Sequence, residues 1–294
     1  MSQKEKLKFK NGPQKLKVNC FLDFEFNCGN EYDRVHREII SIGAVFCDEY
    51  GNVRISFHRI ICPTKYMKIS DRCIQLTGID RRVILKSPTF DVIVKEFLNI
   101  IKRFECINYY VWGEEDKRQV LKAATLSKAD KRIKHIADRF IDLQEVISNN
   151  LKLRVNYSLE NTALIYNIKY RHNFCAIDDA MCLKKVFYKY NKGVQANSEL
   201  IKLVNGYYHS KKKIGNYKTI INSANQARNN IDKYIKEMEA NREDAVIYNK
   251  LKEKLILSKK SALKFEKQII DKSSDYAECI ESVDRFSNLI CRSS

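Results

Sequence analysis

Two acidic residues interrupt an apolar run, Phe21-Leu22-Asp23-Phe24-Glu25-Phe26. Side chains at i and i+2 of a strand share a face. Asp23 and Glu25 therefore project side by side from a segment whose other residues read as buried. Like charges paired in apolar surroundings are costly unless something neutralises them. A divalent cation does so, because hard cations take carboxylate oxygens. These six residues alone also allow a strand with one solvated acidic face.

Further acidic positions stand where they could join the pair. Asp116 follows an apolar stretch and the step Val111-Trp112-Gly113, at the start of a helical pattern. Asp178 and Asp179 precede an expected helix over 180–190. A helix N-terminus favours anions through its dipole, so the aspartate pair and Asp116 read equally well as helix caps.

The elements that must hold these groups follow from periodicity. Residues 18–26 and 39–46 read as strands, and 53–61 alternates as a half-buried third. Three strands joined by short turns predict an antiparallel meander. A helical pattern over 69–76 stops at Gly78, and Ser87-Pro88 reads as the capped start of the next helix. Residues 107–112 form a fourth strand, and helices are expected near 116–125, 129–139, 142–150 and 158–167. This order predicts an α/β sandwich complete near residue 192. Three segments result: a basic, flexible tail over 1–16, a globular domain over 17–192, and a basic helical region over 193–294. In the last, apolar residues recur at Ile231, Ile235 and Met238, then at Leu251, Leu255, Ala262, Phe265 and Ile269. Such spacing predicts a hairpin of two long helices, the second capped by Asn241, that either extends the core or seats a protein partner or a second copy.

The 294 residues carry a formal charge of +18, which points to a polyanionic partner, nucleic acid first. A lysine-rich composition kept for solubility gives the same sum. No apolar run nears the roughly 18 residues of a membrane span, and residues 1–17 hold six lysines without the apolar core of a secretory signal. The ten cysteines show no Cys-x-x-Cys and no zinc spacing. Reduced thiols in a cytoplasm are expected, with no membrane role.

In order, Phe21–Phe26, Glu38-Ile39-Ile40-Ser41-Ile42-Gly43-Ala44, Cys73-Ile74-Gln75-Leu76-Thr77-Gly78-Ile79, Trp112-Gly113 with Asp116, Ile141-Asp142-Leu143-Gln144, Ser158-Leu159-Glu160 and Asp178-Asp179-Ala180 resemble the motifs of the DEDD family of 3′–5′ exonucleases. The likeness spans about 17–192 and is nearest the branch of sporulation-inhibitor and histone-mRNA exonucleases. It implies a ribonuclease H-like mixed five-stranded sheet flanked by helices, with the C-terminal helices as an extension. It also implies hydrolysis of single-stranded RNA or DNA from the 3′ end by two ions, Mg²⁺ or Mn²⁺, releasing nucleoside 5′-monophosphates. By resemblance Asp23, Glu25 and Asp179 hold the first ion, Asp23 bridges to the second, and Asp116 acts through a water. Leu76 and Thr77, with the backbone near Phe24 and Phe26, would lie by the 3′-terminal nucleotide.

The general base departs from the family pattern. A histidine five residues before Asp179 would be Phe174, and a tyrosine four before would be Cys175. His172, seven before, serves if the loop is two residues longer, and loops absorb such insertions readily. Otherwise the enzyme is slow, or the domain is a nucleic-acid-binding or regulatory protein with a weakened centre.

Overall fold

The structure is a computed structural model that describes residues 15–27, 37–170 and 175–293. Most of the expected tail over 1–16, together with His36, His172 and Phe174, lies outside the described residues. The chain divides into two compact units, Met1–Asn197 and Ser198–Ser294.

Among the described residues the first unit is built on five strands. These are β1 (Lys17–Phe26), β2 (Ile39–Cys47), β3 (Val53–Ile60), β4 (Glu105–Val111) and β5 (Phe140–Asp142), in the spatial order β3-β2-β1-β4-β5. The β3-β2-β1 meander is antiparallel, whereas β4 and β5 add parallel to β1. A mixed sheet of this kind needs helices on both faces, and every residue of β2 is buried. The alternation of β1 assigns its two faces. Val18, Cys20, Leu22 and Phe24 join the main core with α3 (Phe90–Ile101), α4 (Glu114–Leu126) and α5 (Arg132–Asp138). The odd residues face α8 (Ala176–Asn191), where the Phe21 ring lies 5.3 Å from that of Phe187. Asp23 and Glu25 share this second face.

Helix α8 is fixed at both ends. Near its start, Gly43 of β2 lies so close that an added Cβ would fall 2.2 Å from the carbonyl carbon of Ala176. Only glycine allows this approach. Near its end, the Tyr188 hydroxyl donates to the Asp48 carbonyl at 2.6 Å, tying the helix to the β2–β3 turn. In that turn the Asp48 carboxylate accepts from the Tyr50 and Asn52 amides and pairs with Arg54.

Several boundaries differ from expectation. Ser87 ends an additional short helix, α2 (Arg81–Lys86), while α3 starts later with Thr89 as its cap residue. The third strand of the parallel set, β5, is only three residues long and is made by pairing with β4. Helix α8 begins at Ala176, so Asp178 and Asp179 lie within its first turn, and its cap position is Cys175, which makes no side-chain cap bond. The remaining elements of this unit are α1 (Asp71–Thr77), α6 (Leu143–Asn150) and α7 (Leu159–Ile165).

Among the described residues the second unit holds three helices rather than the expected hairpin: α9 (Ser198–Ala240), α10 (Ala245–Asp271) and α11 (Ser273–Ser293). Asp244, not Asn241, caps α10 by accepting from the amides of Val246 and Ile247. Aromatic pairs join α9 to α11, with Tyr217 and Tyr276 stacked at 4.2 Å and Tyr207 and Phe286 at 4.4 Å. Among the described residues no helix is long and apolar enough to cross a membrane.

The contact at Gly43 is testable. Gly43→Ala forces a methyl into the backbone of α8, an overpacking that typically costs about 1–3 kcal/mol. Chemical denaturation of the variant should show a loss of at least this order. A variant as stable as the parent would mean that α8 does not rest on Gly43.

Candidate active site

One carboxylate oxygen each from Asp23, Glu25 and Asp179 lie within 4.8 Å of one another. The strand places the first two and the first turn of α8 the third. The register that pairs Asp23 with Gly43 explains why. The glycine lets the helix start settle directly beside the β1 carboxylates.

Asp116 is outside that trio but within electrostatic reach of it. It is buried in the first turn of α4. The turn before it uses Gly113 at φ 88°, a left-handed conformation suited to glycine. The Gly113 amide donates at 2.8 Å to Asp142, whose carboxylate also caps α6 through the Gln144 and Glu145 amides. Asp142 thus locks β5 and α6 to the turn that aims Asp116. In the sequence it is only part of a familiar spacer. Its signal is an aspartate directly before a helical pattern, and its partner 29 residues earlier is not visible there.

The electrostatics are those of crowded anions. Burial, then the charges of Asp116, Asp179 and Glu25, hold the Asp23 carboxyl well above the usual range. Burial, then Asp179, lifts Glu25 to about 7. Asp116 is raised by burial, then by Glu25, Glu115, Asp142 and Asp179. Among the described residues no lysine or arginine forms an ion pair with Asp23 or Glu25. Carboxylates with converging oxygens, two half-buried and one buried, make a donor set that fits a hard divalent cation.

Sequence reasoning missed Tyr170, whose hydroxyl donates to Asp179 Oδ1. Burial and the Asp179 charge hold its proton on firmly. The bond orients the carboxylate that α8 contributes. Nothing local marks it, since Tyr170 lies nine residues before Asp179.

The other expected residues are placed as follows. Leu76 is exposed at the end of α1, and Thr77 is buried beside it. The Thr77 hydroxyl is committed to the helix end, donating to the Cys73 carbonyl at 2.8 Å and accepting from the Ile79 amide. The Cys73 thiol meets the Phe26 carbonyl at 3.8 Å, so α1 packs on the end of β1. The Phe24 side chain belongs to the core on the opposite face, which leaves only its backbone on the site's side. Glu38 fastens the neighbouring loop by accepting from the amides of Thr64, Lys65 and Tyr66. His58, half-buried on β3, lies 3.1 Å from the Ser41 hydroxyl and 4.0 Å from the Cys175 sulfur.

Comparison with known proteins now decides the family. The exonuclease family RNase_T matches residues 20–187, more than half of the chain. The chain belongs to this exonuclease family. Human 3′-5′ exoribonuclease 1 is 24% identical over 179 residues, covering 57% of this chain and 50% of that protein. The chain thus spans about half the length of the curated relative it matches. A structure of the nuclease domain of 3′hExo, described as a DEDDh family member bound to rAMP, has a TM-score of 0.55 at 19% identity and covers 61% of this chain and 94% of that one. A 3′-exonuclease structure concerned with the histone mRNA stem-loop scores 0.54 at 21% identity, covering 66% and 71%. At these identities the structures establish the fold. The ribonuclease H-like reading of the sheet and the likeness to DEDD exonucleases are both borne out.

The raised carboxylates have a measurable consequence. In the unfolded chain Glu25 loses its proton near 4.5, and in the fold near 7. Between these values the folded state binds more protons, so stability falls as pH rises through the window. In EDTA this group should cost up to about 3 kcal/mol by pH 7.5. Glu25→Gln should flatten that stretch of the stability–pH curve and be the more stable protein at pH 7.5. Denaturant titrations at several pH values check it, and a variant less stable than the parent at pH 7.5 would contradict it.

Proposed function

We propose that this chain is a divalent-metal-dependent 3′–5′ exonuclease that hydrolyses single-stranded RNA or DNA and releases nucleoside 5′-monophosphates. The convergence of Asp23, Glu25 and Asp179 within 4.8 Å carries this reading. Membership in the exonuclease family supports it.

Asp23, Glu25 and Asp179 would hold the cations, with Asp23 shared between two and Asp116 completing the set at longer range. Bound Mg²⁺ or Mn²⁺ supplies charge that offsets the phosphoryl oxygens and makes water a stronger nucleophile. Water adds to the phosphorus and gives up a proton, the bond to the 3′ oxygen of the penultimate nucleotide breaks, and that oxygen takes up a proton from solvent to become the new 3′-hydroxyl. Tyr170 keeps Asp179 oriented throughout. By the family resemblance, His172 would take the proton from water. Leu76, Thr77 and the backbone at Phe24 and Phe26 would line the terminal nucleotide. The exposed Leu76 side chain offers a flat apolar surface to a base, while Thr77 gives rigidity.

The test uses 5′-labelled RNA and DNA strands with Mg²⁺, Mn²⁺ or EDTA. A metal-dependent ladder shortening from the 3′ end is expected. Asp23→Asn should abolish it without weakening the fold. His172→Ala should lower kcat by roughly 10² to 10⁴ while strand binding persists, the usual scale for a general base. Binding without product at any metal would replace the enzyme by a nucleic-acid-binding protein with a weakened centre.

A further inference from the structure

The exposed face of α8 carries a second feature that the catalytic reading does not use. Lys169, Lys184, Lys185, Lys189, Lys192 and Tyr50 line a groove of about 410 Å³ beside the β2–β3 turn. No carboxylate lines it among the described residues. At 100° per residue, Lys184, Lys185 and Lys189 of α8, the C-cap residue Lys192 and Tyr188 fall within an arc of roughly 140°. Leu183, Val186 and Phe187 occupy the buried side.

Part of the groove is rigid. The Lys189 ammonium donates to the carbonyl of Tyr166 at 2.7 Å and to that of Asn167 at 3.3 Å. The Tyr188 ring is held by its bond to the Asp48 carbonyl, with Gly51 at φ 90° closing against it. Lys184 stands 5.9 Å from the centre of that ring. Lys169, Lys185 and Lys192 are exposed. Among the described residues none of these three forms an ion pair. Like charges one turn apart repel, so the spacing of Lys185, Lys189 and Lys192 opposes helix stability until an anion arrives. A helix dipole explains a lysine in the last turn. It does not explain Lys184 and Lys185 in the middle of α8, or Lys169 contributed by another segment.

Tyr50 narrows the class of anion. Its side chain is 75% exposed at the rim. A basic groove that tracks phosphates, with an aromatic ring on which an unpaired base stacks, is the pattern of single-strand binding. We propose that this groove is a secondary site for a single-stranded nucleic acid, gripping the strand upstream of its 3′ end. The proposal rests on the exonuclease reading for its direction along the strand, but not for the binding itself. Along α8, Lys185 and Lys192 lie roughly 9 and 20 Å from Asp179, at about 1.5 Å per residue. A strand that reaches both places must be several nucleotides long, so the groove favours long substrates and ignores very short ones.

The experiment compares the triple variant Lys169→Ala, Lys185→Ala, Lys192→Ala with the triple Lys86→Ala, Lys95→Ala, Lys128→Ala, which removes equal charge elsewhere on the same unit. Fluorescence anisotropy with a labelled 12-nucleotide RNA in EDTA reads binding. The groove triple should weaken binding about tenfold, and its slope of log K against log salt should fall by about 2, from roughly 0.7 per phosphate contact. The control triple should change binding less than twofold. Replacing the same three groove lysines by arginine should restore affinity. Tyr50→Ala should weaken RNA binding but leave competition by inorganic triphosphate unchanged. With Mn²⁺, cleavage of a trinucleotide should be the same in the groove triple and the parent. Equal losses from the two triples, or none from the groove triple, would overturn the proposal. If the parent cleaves nothing yet the groove triple still loses binding, the exonuclease reading falls and the groove stands. If the parent cleaves and the groove triple binds the 12-nucleotide strand as well as the parent, the reverse holds.

Discussion

Three carboxylates kept within 4.8 Å of each other set the terms for everything around them. Their repulsion would drive them apart or protonate them, so the backbone must supply the restoring force. It does so through contacts that have no side-chain slack. The start of α8 lies against Gly43 at backbone distance, and Gly43 is the residue paired with Asp23. The strand register and this close approach together set how near the helix start stands to the Asp23 carboxylate. At the other end, the Tyr188 bond to the Asp48 carbonyl stops α8 from pivoting about that contact. Asp116 reaches the group by a third route, the Gly113 turn fastened to Asp142. Each acid thus comes from an element fixed by glycine geometry or by a backbone hydrogen bond. Neither depends on the charge state of the acids themselves.

How much of this is legible in the sequence depends on the range of each interaction. The strand pair Asp23 and Glu25 is legible because its period of two is local and its neighbours are apolar. The main-chain order of strands and helices is legible for the same reason. The start of α8 is not, because Cys175 lacks a capping side chain and the preceding residues carry no helix signal. Strand β5 is three residues long, and its conformation exists only through pairing with β4, from Tyr109 with Phe140 to Val111 with Asp142. Ser87-Pro88 reads as a helix start, yet Ser87 closes α2, because Asp80 caps the start of that short helix. Gly43 carries a signal that reads two ways, since a glycine inside an apolar strand marks either a bulge or a close approach. The helix that approaches it lies more than 130 residues away. Tyr170 has no signal at all.

The second unit shows the same limit at larger scale. Helical spacing over 231–269 is correct in kind, and Leu251 and Ala262 are buried as it implies. The number of helices is not, because the joint between α10 and α11 is a single residue, Lys272. No glycine or proline marks it. Asp244 wins the cap of α10 over Asn241 because its carboxylate reaches two amides, whereas the Asn241 amide turns back to the Glu237 carbonyl.

Net charge is a poor guide to the field at the site. The chain carries +18, yet Glu25 is pushed up to about 7 rather than down. Burial and the nearest anion outweigh many distant lysines because salt screens exposed charges beyond about 8 Å. The lysine face of α8 begins with Lys184 at about that range from Asp179, roughly 8 Å along the helix. Closer lysines would pair with the carboxylates and occupy the place of a cation. Lysines on an unrelated face would attract a strand without directing it. One helix that bears anions in its first turn and cations from its middle onward keeps the two potentials separate while fixing the distance between them. On the proposed reading, the spacing along α8 lets the centre stay open to metal on a chain that also attracts phosphate.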